Sequence, residues 1–426
     1  MAFLQVALDF VDLERALKAA EEAVAGGVDW LEAGTPLIKS EGMNAVRELK
    51  RRFPSKVIVA DMKTMDTGSL EAEMACKSGA DVVSILAAAD DKTVKEAAVA
   101  CKRYGAKLMV DLIGCAKPVE RGIACERLGA EIICAHAGID QQMAGITSIA
   151  IARDLARKTK ARIAIAGGIN SENIVEAAKC ADVLIVGGAI TKAGDATKAT
   201  RILKAAIKSR KPVRSELYKK YGEKDLAKVF LKVSTPNISD ALQHRGEIRG
   251  VKNLFGLKFA GPALTVRTYD GDWAKPVEAL EKAEPGTVLV IDAQGGQKAV
   301  WGELASNSAI VRKIAGVVVD GAVRDVDEIR VLKLPVCARN ISSASGDPKG
   351  WGEIGPEIAC GGVKVRSGDW VVGDENGIVV VPAEEAVEMA NRALDVLERE
   401  NRLRAEIRRG KTLSEVAYLK KWEKVG

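Results

Sequence analysis

The sequence predicts an α/β chain in three parts: a (β/α)8 barrel of the TIM type over residues 1–208, a basic linker over 209–229, and a mixed β/β/α domain of swivelling type over 230–426. Three observations predict it. Short apolar runs recur at an even beat in the first half, with amphipathic segments between them. Most of those runs end in an ionisable residue, always at the C-terminal end. After residue 230 the beat becomes irregular, and Gly/Asp turns separate paired runs, which calls for an antiparallel component. A chain of 426 residues also exceeds one ordinary domain.

Composition narrows the function classes. The net charge of +6 is a small excess of 64 basic over 58 acidic residues, and no basic run is interleaved with aromatics. Nucleic acid is therefore not an expected partner, whereas a mildly positive site for phosphorylated metabolites fits. The eight cysteines (Cys76, Cys101, Cys115, Cys125, Cys134, Cys180, Cys337, Cys360) stand singly, as free thiols in a reducing compartment would. Only His136 and His244 could add imidazole ligands, so any metal should be a hard cation on carboxylates. The residues before Asp9 form no signal peptide, and no apolar run approaches the roughly 20 residues that span a bilayer. A cytoplasmic protein without membrane contact is expected.

Taken in order, the runs are Leu4–Leu8, Trp30–Ala33, Val57–Ala60, Val82–Leu86, Leu108–Ile113, Ile132–Ala135, Ile163–Ala166 and Val183–Val186. They are rich in β-branched residues and mostly lack polar alternation, as strands buried on both faces do. Asp12–Ala25, Met43–Phe53, Ser69–Ser78, Asp91–Tyr104 and Ser171–Lys179 read as the helices between them, several with Asp or Ser at the start and Gly near the end. A doubly wound open sheet is the competitor. Even spacing, and no Gly-x-Gly-x-x-Gly turn after the first run, favour a barrel, which can close in about 200 residues.

Asp9, Glu32, Asp61 with Lys63, Asp111 and His136 close five of the runs. Any one alone would read as a helix cap or a loop ion pair. At the C-terminal ends of barrel strands they share the active face. Asp61 and Lys63, two apart on a strand, point the same way, and Asp66 follows. Buried charges of this kind are costly unless paired or bound to something, so the set suits proton transfer beside a metal ion or phosphate ester. The last two runs end in Gly167-Gly168 and Gly187-Gly188. Paired glycines let backbone amides approach an anion, and the loops after strands seven and eight are the usual phosphate site of such barrels.

Together, Leu-Gln-Val-Ala-Leu-Asp9, Glu32-Ala-Gly-Thr-Pro, Asp61-Met-Lys63-Thr-Met-Asp66, Val-Asp111-Leu-Ile-Gly, His136-Ala-Gly-Ile-Asp140 and the two Gly-Gly turns resemble the 3-hexulose-6-phosphate synthase family, within the orotidine 5′-monophosphate decarboxylase superfamily. The resemblance implies a Mg2+-dependent (or Mn2+-dependent) aldol reaction joining formaldehyde to D-ribulose 5-phosphate, or its reverse. It implies that Glu32 and Asp61 hold the metal, which stabilises ene-diolate oxygens, and that Lys63 and His136 move protons. Asp9 and Asp66 would orient Lys63 and the sugar, with Asp66 serving a neighbouring subunit in a barrel dimer. The sister family, 3-keto-L-gulonate-6-phosphate decarboxylase, carries Arg a few residues past the His and Glu where Asp111 stands. Ile139 and Asp111 here favour the synthase, with the decarboxylase as the alternative.

The junction from Lys204 to Lys224 is strongly basic and reads as a linker with a short solvated helix. Beyond it, Ser234-Thr235-Pro236 looks like a helix start, and apolar strands follow at Ala263–Val266, Val288–Ile291, Val317–Val319, Val336–Ala338, Val363–Val365 and Ile378–Val381. Residues 384–409 form a long charged amphipathic helix, expected against its own domain or a sister subunit, and the tail beyond reads as helical. Chemistry concentrates at the Gln294-Gly295-Gly296 turn, able to approach a ligand, and at Arg324-Asp325-Val-Asp327-Glu328. There Arg324 can grip a carboxylate and Asp325 a divalent ion.

Gly261-Pro-Ala, Pro285-Gly-Thr-Val-Leu-Val-Ile-Asp292, Trp301-Gly-Glu-Leu304, Asp320-Gly-Ala-Val-Arg324-Asp325, Cys360-Gly-Gly and Gly373-Asp-Glu-Asn-Gly377 resemble the regulator-of-ribonuclease-activity (RraA-like) family and the class II 4-hydroxy-4-methyl-2-oxoglutarate aldolases. The resemblance implies Arg324 on a pyruvyl carboxylate, Asp325 on the metal, Asp327 or Glu328 in its outer shell, and the Glu303-Leu304 amides on the enolate. Two readings stay open for this half. It is a metal-dependent 2-oxo-acid aldolase, or it is a non-catalytic oligomerisation or regulatory module forming trimers or hexamers.

Overall fold

In the computed structural model, which describes residues 2–138, 148–214 and 219–417, the eight runs of the first half close into a parallel barrel. Its strands are β1 (Phe3–Leu8), β2 (Trp30–Ala33), β3 (Val57–Thr64), β4 (Val82–Leu86), β5 (Lys107–Asp111), β6 (Ile132–His136), β7 (Arg162–Ala166) and β8 (Val183–Val186). They pair in chain order, and β1 returns to β8 with Phe3 opposite Val183. Around them lie α1 (Leu13–Gly26), α2 (Thr35–Glu41), α3 (Asn44–Arg52), α4 (Gly68–Lys77), α5 (Asp91–Arg103), α6 (Pro118–Arg127), α7 (Ile149–Lys158), α8 (Ile174–Ala177), α9 (Gly188–Thr191) and α10 (Ala196–Ser209).

Local chemistry sets these boundaries. Asp12 caps α1 by accepting from the Arg15 amide at 3.0 Å, and Gly27 ends it at φ 96°. Asp90 and Asp195 cap α5 and α10 in the same way. The segment read as a helix over Ser171–Lys179 shrinks to α8, because Asn170 and Asn173 side chains take up nearby backbone amides.

Strand parity then divides the core. Leu4, Val6 and Leu8, with Ile58 and Ala60, pack outward against the helices. Ala7, Trp30, Val59, Met109, Ile132 and Cys134 fill the barrel interior. Every inward position one pleat further on is a place where a side chain reaches the barrel mouth.

The chain forms two compact units, Met1–Lys220 with Glu398–Gly426, and Tyr221–Leu397. In the second, α11 (Leu226–Lys232) and α12 (Thr235–Ala241) precede a nine-stranded mixed sheet. Its main strands are β9 (Lys252–Asn253), β10 (Phe259–Arg267), β11 (Val288–Asp292), β12 (Ala299–Trp301), β13 (Gly316–Val323) and β14 (Val336–Ile341). β15 (Glu353–Ile354) pairs with β10, and β16 (Ile358–Cys360) with β17 (Val363–Val365). The longest antiparallel element is the hairpin β18 (Trp370–Asp374) and β19 (Gly377–Val381) on one edge of β10, and β9 and β15 also pair antiparallel. Helices α13 (Ala274–Lys282), α14 (Glu303–Val311) and α15 (Val326–Leu332) cross over between the parallel strands, and α16 (Ala386–Arg408) and α17 (Leu413–Ala417) end the described chain. Alternate residues of β13 enter opposite core layers, Val317 and Val319 one and Val318 the other. Helix α11, just beyond the basic junction, buries Leu226, Val229 and Phe230, while residues 215–218, where the short solvated helix was expected, lie outside the described residues. Among the described residues no helix is long and apolar enough to cross a membrane.

Helices α4 and α5 pack so closely that a Cβ at Gly68 would lie 2.2 Å from the Thr93 carbonyl oxygen. Neither backbone can yield locally. Gly68→Ala is expected to destabilise the chain by about 2–3 kcal/mol, read by thermal melting. Gly222→Ala, where a Cβ meets nothing within 4 Å, serves as the control. A wild-type melting point for Gly68→Ala would contradict this packing.

Candidate active site

Inward parity carries Glu32 on β2, Asp61 on β3, Asp111 on β5 and His136 on β6 to the same end of the barrel, where β1 also delivers Asp9. They line a cavity of about 320 Å3. Lys63 joins them by an irregularity. The β3–β4 register shifts between Asp61 and Thr64, and Lys63 takes the left-handed conformation at φ 51°. A bulge, not regular pleating, turns Lys63 towards Asp61. Left-handed backbone at a lysine is unfavourable, and the ion pairs it makes offset that cost.

Lys63 Nζ lies 2.7 Å from Asp61 Oδ1 and 2.9 Å from Asp111 Oδ2. Asp111 Oδ2 also lies 2.8 Å from His136 Nδ1, which sets the imidazole's orientation. Burial alone would lower the Lys63 pKa, but the two carboxylates raise it well above the ordinary range, which favours the ammonium form. Burial works to raise Asp111 too, yet His136 and Lys63 bring it down to about 2. Glu32 has no such partner. Burial, then Asp61 and Asp9, push its carboxyl well above the usual range. Asp9 opens to the cavity but is ringed by protein atoms, and desolvation and Asp61 raise it as well, against Lys63, His136 and Lys192.

Three polar groups that the sequence reading passed over support this set. Thr35 Oγ1 donates to Asp61 Oδ2 at 2.7 Å, and the fully buried Gln5 donates to Glu32 from the barrel interior. Lys192 follows α9 and acts on Asp9. Gln5 was visible as a polar residue inside the first apolar run. Asp66 is exposed, accepts from the Thr67 amide at 2.7 Å, and is not among the cavity-lining residues. Ile139 and Asp140 lie outside the described residues.

Across the cavity, Gly167 (φ 90°) and Gly168 (φ 71°) turn the chain where a side chain would be strained, and Asn173 Nδ2 pins the Gly168 carbonyl at 2.9 Å. Gly187 and Gly188 also line it and open α9. That helix has four residues, so its dipole is small and the exposed amides matter more.

The second unit holds another cavity, of about 230 Å3, with Arg324 and Asp325 on its wall. Asp325 sits at φ 55° between β13 and α15. Its Oδ2 lies 3.5 Å from Arg324 Nε and accepts from the Glu303 amide at 3.1 Å, while Arg324 donates to Ser345 Oγ at 3.2 Å. One of the two amides expected for an enolate is therefore engaged by Asp325. Asp327 pairs with Arg330 of its own helix at 3.1 Å. The Gln294-Gly295-Gly296 turn spends its amides internally, on Asp292, the Asp320 carbonyl and the Ala293 carbonyl, so it offers no ligand amides. His244 is exposed and lies 3.8 Å from Asp240.

A hard divalent cation fits the barrel donors. Glu32 and Asp61 repel each other in a desolvated site, and the Gln5 Oε1 oxygen beside Glu32 is buried without a hydrogen-bond partner. Asp111, Cys134 and His136 also converge within 4.8 Å. That trio suits a cation less well, because Asp111 already serves Lys63 and His136, while burial and Asp111 hold the Cys134 thiol protonated. A carboxyl raised above its unfolded value of about 4.3 lowers stability progressively as pH climbs from that value towards its folded one. Glu32→Gln is thus expected to raise the melting temperature in EDTA by roughly 2–5 °C at pH 7.5, with no gain below about pH 4. An unchanged or lower midpoint at pH 7.5 would show that Glu32 is not repelled by its neighbours.

Comparison with known proteins agrees with this division of the chain. Residues 2–202 match the orotidine 5′-phosphate decarboxylase/HUMPS family, and residues 235–380 the RraA-like family, Aldolase/RraA. The 3-hexulose-6-phosphate synthase of Mycobacterium gastri is 40% identical over 205 residues, which are 48% of this chain and 99% of that protein. The Bacillus subtilis synthase is 37% identical over 206 residues, 48% of this chain and 98% of its own. The solved Salmonella typhimurium synthase shares 36% identity, covering 49% of this chain and 99% of that one, with a TM-score of 0.47. The RNA-processing inhibitor RraA of Thermus thermophilis shares 32%, covering 35% of this chain and 92% of that one, with a TM-score of 0.33. The chain therefore belongs, through its first half, to the orotidine 5′-phosphate decarboxylase/HUMPS family, close to 3-hexulose-6-phosphate synthase, and carries an RraA-like aldolase domain in its second.

Proposed function

We propose that the chain is a cytoplasmic aldehyde-lyase whose barrel condenses formaldehyde with D-ribulose 5-phosphate to 3-hexulose 6-phosphate, or runs the reverse cleavage to supply the pentulose. The observation that carries this reading is the Asp61–Lys63–Asp111–His136 chain of contacts facing the two Gly-Gly turns. The phosphate would rest on the amides of Gly167, Gly168, Gly187 and Gly188, placing the sugar's carbonyl end at the carboxylates. Glu32 and Asp61 would hold Mg2+ or Mn2+, which when bound supplies Lewis-acid charge to the substrate oxygens.

His136, oriented through Nδ1 by Asp111, is the base that removes a proton from C1 of the pentulose phosphate. The carbon so freed attacks the formaldehyde carbon, forming the C–C bond, and a proton returns to the new hydroxyl. Lys63 sits as an ammonium between Asp61 and Asp111, placed to hand a proton to a developing alkoxide. It contributes positive charge where negative charge develops. Asp66, exposed beside Met65, Leu70 and Met74, supports a homodimer in which it serves the other copy's site. The decarboxylase alternative would use the same charges, but the identity of the synthase matches favours the aldol reaction.

For the second half, the Arg324–Asp325 pair on a cavity wall supports a metal-dependent 2-oxo-acid aldolase. A module for self-assembly is the other reading, favoured by Leu304 and Val311 on α14 and Val331 on α15, each at least 80% exposed.

Purified protein with formaldehyde and ribulose 5-phosphate should consume the pentulose, and EDTA should stop it. Lys63→Ala is expected to reduce that rate by about a thousandfold or more, with circular dichroism confirming the fold; wild-type turnover in the variant would remove the assignment. Turnover of a pyruvate aldol donor with Mn2+, lost in Arg324→Ala, would support the second activity, and none in the wild type would favour the module.

A further inference from the structure

The first unit includes a piece of chain from far downstream. The family match ends at residue 202, and the synthases are covered almost completely by some 205 residues of this chain. Yet the segment from Glu398 onward belongs to the barrel unit. Two of its charged residues, Arg402 and Glu406, are 8% and 5% exposed. Charges are buried at a cost of several kcal/mol unless they are paired and hydrogen-bonded, so their partners show what the segment holds.

Arg402 Nη1 donates to the Ala193 carbonyl at 2.5 Å, and Arg409 Nη2 donates to the Gly194 carbonyl at 3.2 Å. These carbonyls follow directly on α9, the short helix that Gly187 and Gly188 begin and Lys192 caps. Basic side chains that hydrogen-bond carbonyls at or just past a helix end help to fix the chain there. Behind Arg402, Glu406 Oε1 accepts from Arg402 Nε at 3.2 Å and from Arg15 Nη2 at 2.7 Å, and Arg402 Nη2 lies 3.8 Å from Glu22 Oε2. The Arg15 guanidinium in turn lies over the Phe10 ring at 5.7 Å, next to Asp9. The segment thus ties the loop after β8 to the loop after β1, the two loops that carry Gly187–Gly188 and Asp9.

Resting on the reading of these glycines as the phosphate site, we propose that Glu398–Ala417 is a clamp on the phosphate-binding turn, with Arg402, Arg409 and Glu406 as positioning residues for the barrel's phosphorylated substrate. They touch no substrate atom. They hold the chain just past α9, so that the Gly187 and Gly188 amides and Lys192 keep one geometry. A displaced amide cradle weakens phosphate binding, whereas the Lys63–Asp111–His136 contacts are made elsewhere in the barrel and are left as they are.

The test uses full-length protein and two readouts: calorimetric binding of inorganic phosphate, and steady-state kinetics with ribulose 5-phosphate and formaldehyde. In Arg402→Met and Arg409→Met, the phosphate dissociation constant and the KM for ribulose 5-phosphate should rise roughly tenfold. The kcat and the KM for formaldehyde should stay within about twofold. Arg402→Lys should recover part of the loss. Arg404→Ala, which removes exposed contacts with Glu400 and Asn401 of the same helix, should change neither. Should burial of Glu406 make Arg402→Met unstable on melting, Arg409→Met carries the test, because Arg409 is exposed and gives up one hydrogen bond. Unchanged phosphate affinity in folded variants, or a fall in kcat at constant KM, would overturn the clamp. A wild type that binds phosphate but condenses nothing would count against the proposed reaction alone; a wild type that condenses while Arg409→Met binds phosphate normally would count against the clamp alone.

Discussion

A lysine ammonium at the mouth of an apolar barrel is tolerated only if anions surround it, and Lys63 has two, Asp61 and Asp111. Much of the site depends on that pairing. Asp111 is shared between Lys63 and His136, which fixes the ring and keeps the carboxylate ionised. Because Asp111 and Asp61 absorb the lysine's charge, Glu32 and Asp9 face each other across low dielectric with little to offset them. On the proposed reading the site also takes a phosphate dianion, which would call for more positive charge than the side chains provide. A divalent cation on Glu32 and Asp61 answers that imbalance, and the unpartnered Gln5 oxygen beside Glu32 marks the same spot.

Much of this was legible in the sequence because strand parity is strict. Once Val59, Met109 and Cys134 are placed in the interior, Asp61, Asp111 and His136 follow two residues later with no freedom left. Lys63 was placed correctly beside Asp61 for an incomplete reason. Regular pleating predicts a shared face, but the register shift and the left-handed Lys63 backbone produce the contact. A bulge leaves no reliable trace in residue types when the left-handed position is a lysine and not a glycine. Thr35 escaped notice for another reason, since its hydroxyl reaches Asp61 only because β2 and β3 are neighbours in space.

The second unit shows where pattern reading stops. Gln294-Gly295-Gly296 and Gly167-Gly168 look alike as sequence, but the first spends its amides on its own strand ends and the second faces a cavity. A Gly-Gly pair specifies a permitted backbone, not the direction of its N–H groups. The same limit applies to Arg324-Asp325. Residue types allow a carboxylate grip and a metal ligand, yet Asp325 is also the acceptor for the Glu303 amide, an arrangement that depends on Gly302 lying close to the carboxylate.

The terminal helix is the clearest case of a pattern with two physical meanings. Arg402 and Glu406 are spaced i, i+4, as are Glu400 and Arg404. On the sequence both are helix-surface ion pairs, of which each would contribute a few tenths of a kcal/mol. In the structure one pair is exposed and the other is buried, with the Ala193 carbonyl, Arg15 and Glu22 as further partners. The difference lies in what the opposite side supplies. A charged pair can be buried only against groups already oriented to receive it, and here those groups are the Ala193 carbonyl just past a four-residue helix and an arginine of α1. An added segment that met only apolar surface would gain nothing from carrying buried arginine there. Its charges are explained by the loop they hold.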